Sequence, residues 1–163
     1  MKNVDVIIPV YNEEGSIVLV ISVIPKEIIS EVIVVNNLST DNSVEIAKRA
    51  GVTVVDQDKK GYGNACLKGI EYVDSKAVKP DILVFLDGDY SDHSEELPAL
   101  LKPIIEDDYD LVIGSRTTGN REKGAMLPQA VFGNFLATFL IRLFYGFTFT
   151  DLGPFRAIKY ESL

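Results

Sequence analysis

The feature that most constrains the fold of this sequence is an alternation of short, apolar, β-branched runs with longer, helix-length stretches. The runs lie, in chain order, at 4–10, 31–35, 52–55, 81–86, 111–113 and 155–158. Short runs with few polar positions are typical of strands buried on both faces of a sheet, which pair in parallel through helical crossovers. Because such crossovers are right-handed, the sequence predicts a Rossmann-like α/β sheet, mostly parallel and flanked by helices.

Length and charge narrow the class of protein. The chain has 163 residues and no linker or repeat divides it, so we expect one domain spanning residues 1–163. Acidic residues number 24 against 16 basic ones, and the net charge of −8 predicts that nucleic acid is not a partner. A single cysteine, Cys66, and an N-terminus without a signal-peptide pattern predict a cytoplasmic protein.

One strongly apolar stretch, 131–149, raises the question of a membrane. Asn134, Arg142 and two glycines interrupt it, so it falls short of an unbroken span of about 20 apolar residues. We interpret it as a buried or interfacial amphipathic helix, and peripheral contact with the cytoplasmic face of a membrane is the second interpretation. No pattern in the sequence indicates the oligomeric state.

Polar clusters follow several of the predicted strands, and in a parallel sheet ligands collect at this end of the strands. The most informative cluster is Asp87-Gly88-Asp89, which ends the run at 81–86. Two carboxylates one residue apart repel each other unless a cation lies between them, and oxygen ligands of this type suit Mg²⁺ or Mn²⁺. An acidic turn that caps the next helix is the alternative. His93, the sole histidine, is interpreted as a solvated residue, with a third metal contact as its alternative.

A second cluster combines Lys59 and Lys60 with Gly61 and Gly63. A lysine pair beside a flexible glycine loop, opposite an acidic metal site, suits a diphosphate. The sequence contains neither GxGxxG nor GxxxxGK[ST], which removes the main support for a dehydrogenase or a P-loop NTPase.

Five motifs carry a resemblance to a known family. They are VIIPVYNEE at 6–14, EVIVVNNLSTD at 31–41, FLDGD at 85–89, GSR at 114–116 and TDLGPFR at 150–156. In this order, and over nearly the whole chain, they resemble the inverting family 2 glycosyltransferases of the GT-A fold. The resemblance is to the branch of the dolichyl-phosphate mannose and glucose synthases.

The resemblance implies roles on the side of the sugar donor. Pro9, Tyr11 and Glu13 would line the nucleotide pocket, with Tyr11 packing against the base. Asp87 and Asp89 would be the family's Asp-x-Asp pair, which holds Mg²⁺ or Mn²⁺ on the donor diphosphate.

Lys60 and the loop from Gly61 to Gly63 would lie near the same diphosphate, and Asn37 would accept a hydrogen bond from the base. Its two polar atoms are an amide oxygen and an amide nitrogen, so it offers less charge than the family's aspartate.

On the acceptor side, Arg116 and Arg156 would bind a lipid phosphate. Asp89 and Asp151 are the catalytic candidates. Asp151 would act as a base for a hydroxyl acceptor, and a turn carboxylate that pairs with Arg156 is its alternative.

The implied reaction is an inverting transfer of a sugar from a UDP- or GDP-sugar to a polyprenyl or dolichyl phosphate, or to a cell-envelope saccharide. The sequence departs from the family where 36–39 read NNLS in place of DDGS, and Leu38 removes a glycine that adopts positive φ easily. It also stops at Leu163, where family members continue, so we expect the acceptor side to be truncated. A sugar nucleotidyltransferase and a non-catalytic nucleotide-sugar-binding module are the alternative functions.

Overall fold

The computed structural model of the protein describes residues 2–115 and 128–163. Within these ranges a six-stranded sheet is flanked by helices. Its strands are β1 (Val4–Val10), β2 (Glu31–Asn36), β3 (Thr53–Asp56), β4 (Ile82–Phe85), β5 (Leu111–Ile113) and β6 (Arg156–Lys159). The α-helices are α1 (Ile17–Val23), α2 (Ser43–Arg49), α3 (Tyr62–Ser75), α4 (Leu97–Glu106) and α5 (Pro128–Tyr145). Each apolar run of the sequence overlaps one of the strands, and β2, β3 and β6 extend one residue beyond their runs.

The strands lie in the order β3-β2-β1-β4-β6-β5. Neighbouring pairs among β1 to β4 are parallel, and β6 pairs antiparallel with β4. Ile7 at the centre of β1 lies beside Ile33 of β2 and Phe85 of β4, so the first four strands end at the same edge. The predicted α/β sheet, mostly parallel and flanked by helices, is confirmed.

The central strand β1 is covered on both faces, and all seven of its residues are buried. Val6 and Ile8 belong to a core cluster with residues of α1 and α4. Ile7 points to the other face, where it packs with Ala65 of α3. At Gly69 of α3, an added Cβ would lie 2.6 Å from Cγ2 of Ile7, so the close approach of this helix to the sheet requires glycine.

The sequence pattern predicts one helix from about Glu13 and another from Ser94, and both begin later in the structure. The first, α1, starts at Ile17, because Glu13 closes a turn in which its carbonyl accepts hydrogen bonds from the N–H groups of Ser16 and Ile17. The helix expected from Ser94 opens with a 3-10 turn, Ser94–Glu96, before α4 begins. A 3-10 turn is common at a helix N-terminus.

A charged cluster lies near the end of the sheet where the parallel strands begin, with Asp5 buried and Lys76 and Glu31 half-buried. Lys76 Nζ lies 2.6 Å from Asp5 Oδ2 and 2.7 Å from Glu31 Oε2, and we call this cluster the Asp5–Lys76–Glu31 triad. The other oxygen of Glu31 accepts hydrogen bonds from the hydroxyls of Thr53 and Tyr72. Burial raises the pKa of Asp5, although the hydrogen bond from Lys76 opposes it. Burial also acts to raise the pKa of Glu31, but its hydrogen bonds outweigh that effect and lower it.

The chain divides into two compact units, one formed by 1–112 with 155–163 and the other by 113–154. The first unit carries the parallel strands. In the second, Asn134 Oδ1 of α5 accepts a hydrogen bond from the N–H of Leu152 at 3.0 Å. None of the helices in the described ranges combines the length and the apolar character needed to cross a membrane.

Candidate active site

An open cavity of about 350 Å³ lies where the parallel strands end, and we call it the strand-end cavity. The segments that follow β1, β2 and β4 line it, together with the start of α3. Its lining residues are Pro9, Val10, Tyr11, Glu13, Asn37, Lys60, Gly61, Tyr62, Ala65, Asp87, Gly88 and Asp89. The structure therefore brings together every residue predicted for the donor side except Gly63, which lies in the first turn of α3. The roles of these residues stay predictions.

The turn after β4 places Asp87 and Asp89 in the lining of this cavity. Gly88 is buried against the end of β1, and an added Cβ there would lie 3.2 Å from Cγ2 of Val10. Asp92 accepts the backbone N–H of Asp87 at 2.9 Å, and Asp89 accepts the N–H of Ser91 at the same distance. Asp87 and Asp89 thus stand on a turn that its own side chains hold in shape.

Asp87 and Asp89 fit a divalent cation by their chemistry. In the described part of the chain, no group of three or more His, Cys, Asp and Glu side chains is arranged to hold a metal. Mg²⁺ is commonly held by one or two carboxylates, together with water and the phosphate oxygens of a substrate, rather than by an all-protein cage. Two carboxylates on the wall of an open cavity match that requirement.

Side chains from the loop after β2 and from the first residue of α2 hold the loop after β1 in place. Three consecutive N–H groups donate to them: Asn12 to Ser39 Oγ (3.1 Å), Glu13 to Ser43 Oγ (2.7 Å) and Glu14 to Asp41 Oδ2 (3.0 Å). Although burial acts to raise the pKa of Asp41, its hydrogen bonds with Ser43 and Glu14 lower it. These bonds satisfy donors that precede α1 and fix the wall of the cavity that carries Tyr11 and Glu13.

Three of the four non-glycine residues with positive φ in the described chain lie in loops at the strand ends. Asn12, Leu38 and Tyr90, with φ angles of 57°, 67° and 64°, follow β1, β2 and β4, whereas the fourth, Asp108 at 60°, precedes β5. Leu38 adopts the left-handed conformation that glycine takes easily, so the departure from the family motif appears as a strained residue. Such a residue costs about 1 kcal/mol or more, and strain of this kind clusters at functional sites.

Asn37 connects the end of β2 to a loop formed by residues 59–61, which we call the 59–61 loop. Its Oδ1 accepts the N–H of Gly61 at 2.7 Å, and its Nδ2 donates to the carbonyl of Lys59 at 2.7 Å. Lys60, between them, places its Nζ 4.4 Å from the centroid of the Tyr11 ring and donates to the Tyr11 hydroxyl at 3.3 Å. An ammonium group in this position makes a cation–π contact.

Tyr62 and Cys66 occupy the first turns of α3 beside the cavity. Burial raises the pKa of Tyr62, and the charge of Asp87 adds to the effect while that of Arg156 opposes it. Burial also raises the pKa of the Cys66 thiol, and this half-buried residue packs against the core cluster that contains Ile7. Arg156 begins β6, in register with Phe85 of β4.

Comparison with known proteins decides the family. The model of the family described as Glycosyl transferase family 2 matches residues 5–163. The chain belongs to glycosyl transferase family 2.

Two relatives of this family 2 member are named as sugar transferases. It is 36% identical over 152 residues to the low-salt glycan biosynthesis hexosyltransferase Agl6 of Haloferax volcanii, a match that covers 90% of the chain and 35% of Agl6. It is 26% identical over 168 residues to the UDP-N-acetylglucosamine–dolichyl-phosphate N-acetylglucosaminyltransferase of Methanococcus voltae, covering 92% of the chain and 66% of that protein.

A solved structure has the same fold. Glucosyl-3-phosphoglycerate synthase of Mycobacterium tuberculosis, in complex with Mn²⁺, UDP-glucose and phosphoglyceric acid, superposes with a TM-score of 0.75 at 24% identity. The match covers 98% of the chain and 57% of that synthase, and it confirms the GT-A fold. The chain therefore spans less than two thirds of the length of each of these three proteins.

Of the predicted residues that the structure describes, Gly63, Asp151 and Arg156 are not among those that line the strand-end cavity of this family 2 member. Gly63 is exposed in α3. Asp151 belongs to the second unit, where it is 2% exposed and its Oδ1 accepts the N–H of Leu152 at 2.8 Å. Arg116 lies outside the described residues. The assignments of Asp151, Arg116 and Arg156 to the acceptor side stay predictions.

Sequence reasoning missed Asp92 as a residue that shapes the turn. It is 9% exposed although it is a carboxylate, and carboxylates are rarely buried unless they are paired. The spacing of Asp87, Asp89 and Asp92 gives no signal that the third carboxylate turns back to accept the N–H of the first. Asp92 therefore acts on the cavity through the turn.

Proposed function

We propose that this chain carries out metal-dependent, inverting transfer of a sugar from a UDP- or GDP-sugar to an acceptor. The observation that supports the proposal most is the composition of the strand-end cavity. An aromatic ring, an ammonium group and two carboxylates, from Tyr11, Lys60, Asp87 and Asp89, line one open space at the ends of the parallel strands. A nucleoside diphosphate presents a flat base and two charged phosphoryl groups, which match these three kinds of side chain.

Asp87 and Asp89 would hold the Mg²⁺ or Mn²⁺ that the donor diphosphate requires. Bound there, such a cation would supply Lewis-acid stabilisation of the departing nucleoside diphosphate. Lys60 adds a second positive charge from the 59–61 loop, and Tyr11 and Pro9 provide the apolar wall for the base. Glu13 lies on the same wall, fixed through its backbone by Ser43. Positioning and electrostatics supply most of the catalysis in such a site.

For the acceptor, we propose a polyprenyl or dolichyl phosphate, with a cell-envelope saccharide as the second candidate. The named relative from Methanococcus voltae supports the first, because its printed name includes a dolichyl-phosphate acceptor. A phosphate oxygen is already ionised, so it attacks without a base, and Arg116 and Arg156 would bind it. A saccharide hydroxyl needs a base, for which Asp151 is the candidate. We place this reaction in the cytoplasm, with peripheral contact at the membrane that carries a lipid acceptor.

The first experiment is a thermal-shift series with UDP-, GDP- and dTDP-sugars, each with Mn²⁺ or with a chelator. At least one donor should raise the melting temperature only with Mn²⁺, and Asp89→Ala should abolish the rise. Equal shifts with and without Mn²⁺ would count against the metal site.

The second experiment is a product assay with the donor that binds. Release of a nucleoside diphosphate together with labelled polyprenyl phosphate sugar supports the proposal. Release of pyrophosphate would instead identify a sugar nucleotidyltransferase. Metal-dependent binding without any product would identify a binding module.

A further inference from the structure

We infer that Asn37 is a positioning residue that holds the 59–61 loop, keeps Lys60 over Tyr11, and does not read the nucleobase. The inference rests on the proposed function, because it assigns a role within the same strand-end cavity. It differs from the role that the family resemblance implies for this position, which is a hydrogen bond to the base.

The first step is the geometry of the Asn37 carboxamide. Its oxygen and its nitrogen bond to the two residues on either side of Lys60, each at 2.7 Å. Asn37 is only 5% exposed, and its backbone N–H donates to the carbonyl of Val10 at 2.8 Å. Both polar atoms are thus directed at the loop, from a residue anchored between β1 and β2.

The second step is the rest of the loop. Gln57 accepts the N–H of Lys59 at 2.9 Å, and Asn64 Nδ2 donates to the carbonyl of Lys60 at 3.0 Å. Gly61 has a φ of 130°, a conformation that side chains rarely allow. The loop is therefore held in one defined shape by amide side chains, and Asn37 is the member of this set that lines the cavity.

The third step is why the residue is an amide. An ionised aspartate would accept from Gly61 but has no hydrogen to donate to the carbonyl of Lys59. Two acceptors would then face each other in a buried place, and a buried polar group without its partner is costly. Asparagine at 37, where the family motif has aspartate, matches the hydrogen-bonding pattern of this loop. A protonated aspartic acid, with one donor and one acceptor, would restore that pattern.

The fourth step is the consequence for the ligand. Lys60 Nζ lies 4.4 Å from the Tyr11 ring centroid and 3.3 Å from its hydroxyl. When the loop is released, this ammonium group is no longer held at the cavity wall. In the proposed function Lys60 interacts with the diphosphate, which all nucleoside diphosphates share. The loss of binding affinity should therefore be the same for every base. A residue that read the base would instead change the preference between bases.

The test measures dissociation constants of UDP and GDP, each with Mn²⁺, by isothermal titration calorimetry. We expect Asn37→Ala to weaken both by about tenfold, as the loss of a buried hydrogen-bond partner predicts, and by the same factor. In a Lys60→Ala background, Asn37→Ala should change the dissociation constants by less than about twofold, because the ammonium group that Asn37 positions is gone. The amide hydrogen of Gly61 should also exchange faster in Asn37→Ala.

Asn37→Asp supplies a second readout. At pH 8 it should bind UDP about tenfold more weakly than the wild type, and the ratio should be smaller at pH 5, because the facing carbonyl of Lys59 favours uptake of a proton by the carboxyl as the pH falls. Lys60, Glu13, Asp87 and Asp89 line the same cavity, so each affinity is divided by that of the wild type at the same pH. Asn3→Asp makes the same chemical change on an exposed residue before β1, and it should leave the affinity unchanged at both pH values.

Two results would overturn the inference while the wild type still binds nucleotide. One is an altered ratio of UDP to GDP affinity in Asn37→Ala, and the other is an undiminished effect of Asn37→Ala in the Lys60→Ala background. A wild type that binds neither nucleotide with Mn²⁺ would overturn the proposed function itself. Circular dichroism melts identify any variant that does not fold. If Asn37→Ala does not fold, Lys60→Ala still tests the inference, because Lys60 is exposed. A change in the preference between UDP and GDP in Lys60→Ala would contradict the inference.

Discussion

The two ends of the parallel strands both collect carboxylates, but in opposite surroundings. Where the strands begin, Asp5 and Glu31 share the ammonium group of Lys76, and Asp5 is 0% exposed. Where the strands end, Asp87 and Asp89 line an open cavity of about 350 Å³. An acidic pair that closes around a lysine of its own chain is a packing feature. A pair on the wall of an open cavity is accessible to a cation and a ligand from solution.

The backbone makes the same distinction. Three of the four non-glycine residues with positive φ in the described chain, Asn12, Leu38 and Tyr90, follow the strand ends, and the fourth, Asp108, precedes β5. The Asp5–Lys76–Glu31 triad instead lies on regular strands and at the end of α3. Strain that local packing does not require is typical of functional sites. The comparison therefore predicts that substitutions at the strand ends reduce function, and that substitutions in the triad reduce stability.

The largest expected effect is on turnover at the strand ends. Asp89→Asn should lower sugar transfer by about 100-fold or more, because it removes a charge placed to stabilise the leaving group. Asp89 is exposed, so its free energy of unfolding should change by no more than about 0.5 kcal/mol. Initial rates and urea denaturation measure the two quantities. If Asp89→Asn lowered stability and left sugar transfer unchanged, Asp89 would behave as a packing residue, contrary to the comparison.

The next effect is on stability where the strands begin. Lys76→Met should lower the free energy of unfolding by about 3 kcal/mol, because it leaves the buried carboxylate of Asp5 and the half-buried one of Glu31 without their cation. The Lys76 side chain is 23% exposed, which keeps the loss at the lower end of the usual range. Lys68→Met is the matched control, since its ion pair with Glu71 lies on the surface of the same helix. The nucleotide affinity of the folded Lys76→Met protein should equal that of the wild type. A change in this affinity would show that the triad also influences the strand-end cavity, against the comparison.

A smaller effect concerns the pH dependence of the triad. The pKa of Glu31 is lowered by its hydrogen bonds with Lys76, Thr53 and Tyr72, which outweigh burial. The stability that ionised Glu31 contributes is therefore present above its unfolded pKa and is lost as the pH falls through the lower folded pKa. The difference in unfolding free energy between the wild type and Glu31→Gln should shrink as the pH falls from about 5 to about 3. A constant difference over this range would contradict the sign of that shift.

The smallest expected effect is at His93. Its side chain is 74% exposed, and its hydrogen bond with Glu95, at 3.1 Å, raises its pKa. His93 does not line the strand-end cavity, so His93→Gln should change the dissociation constant of a nucleotide with Mn²⁺ by less than about twofold at pH 6 and at pH 8. A larger change would favour the alternative in which His93 contacts the metal.

Much of the fold is predictable because it depends on local pattern. The buried strands β1, β2 and β4 are continuous β-branched runs, and their right-handed connections leave few arrangements open. The late start of α1 was not predictable, because it depends on a turn closed by Glu13. The antiparallel direction of β6 is set by its pairing with β4, which no local pattern records.

The sequence predicts which residues line the cavity better than it predicts the contacts that those residues make. Asp87, Asp89 and Lys60 stand out because motifs place them at strand ends or beside glycines. The contacts of Asn37 depend on residues 22 or more positions away, and Lys76 reaches Asp5 over 71 positions. Pairs so distant in sequence leave no periodic signal, and so neither the loop contact nor the triad could be derived from the sequence.

The most direct test of the central claim is an anomalous difference map from a crystal grown with Mn²⁺ and UDP. The account predicts a manganese peak within coordination distance of the carboxylates of Asp87 and Asp89 and of the UDP diphosphate. UDP bound in the strand-end cavity without that peak, or manganese bound elsewhere on the chain, would contradict it.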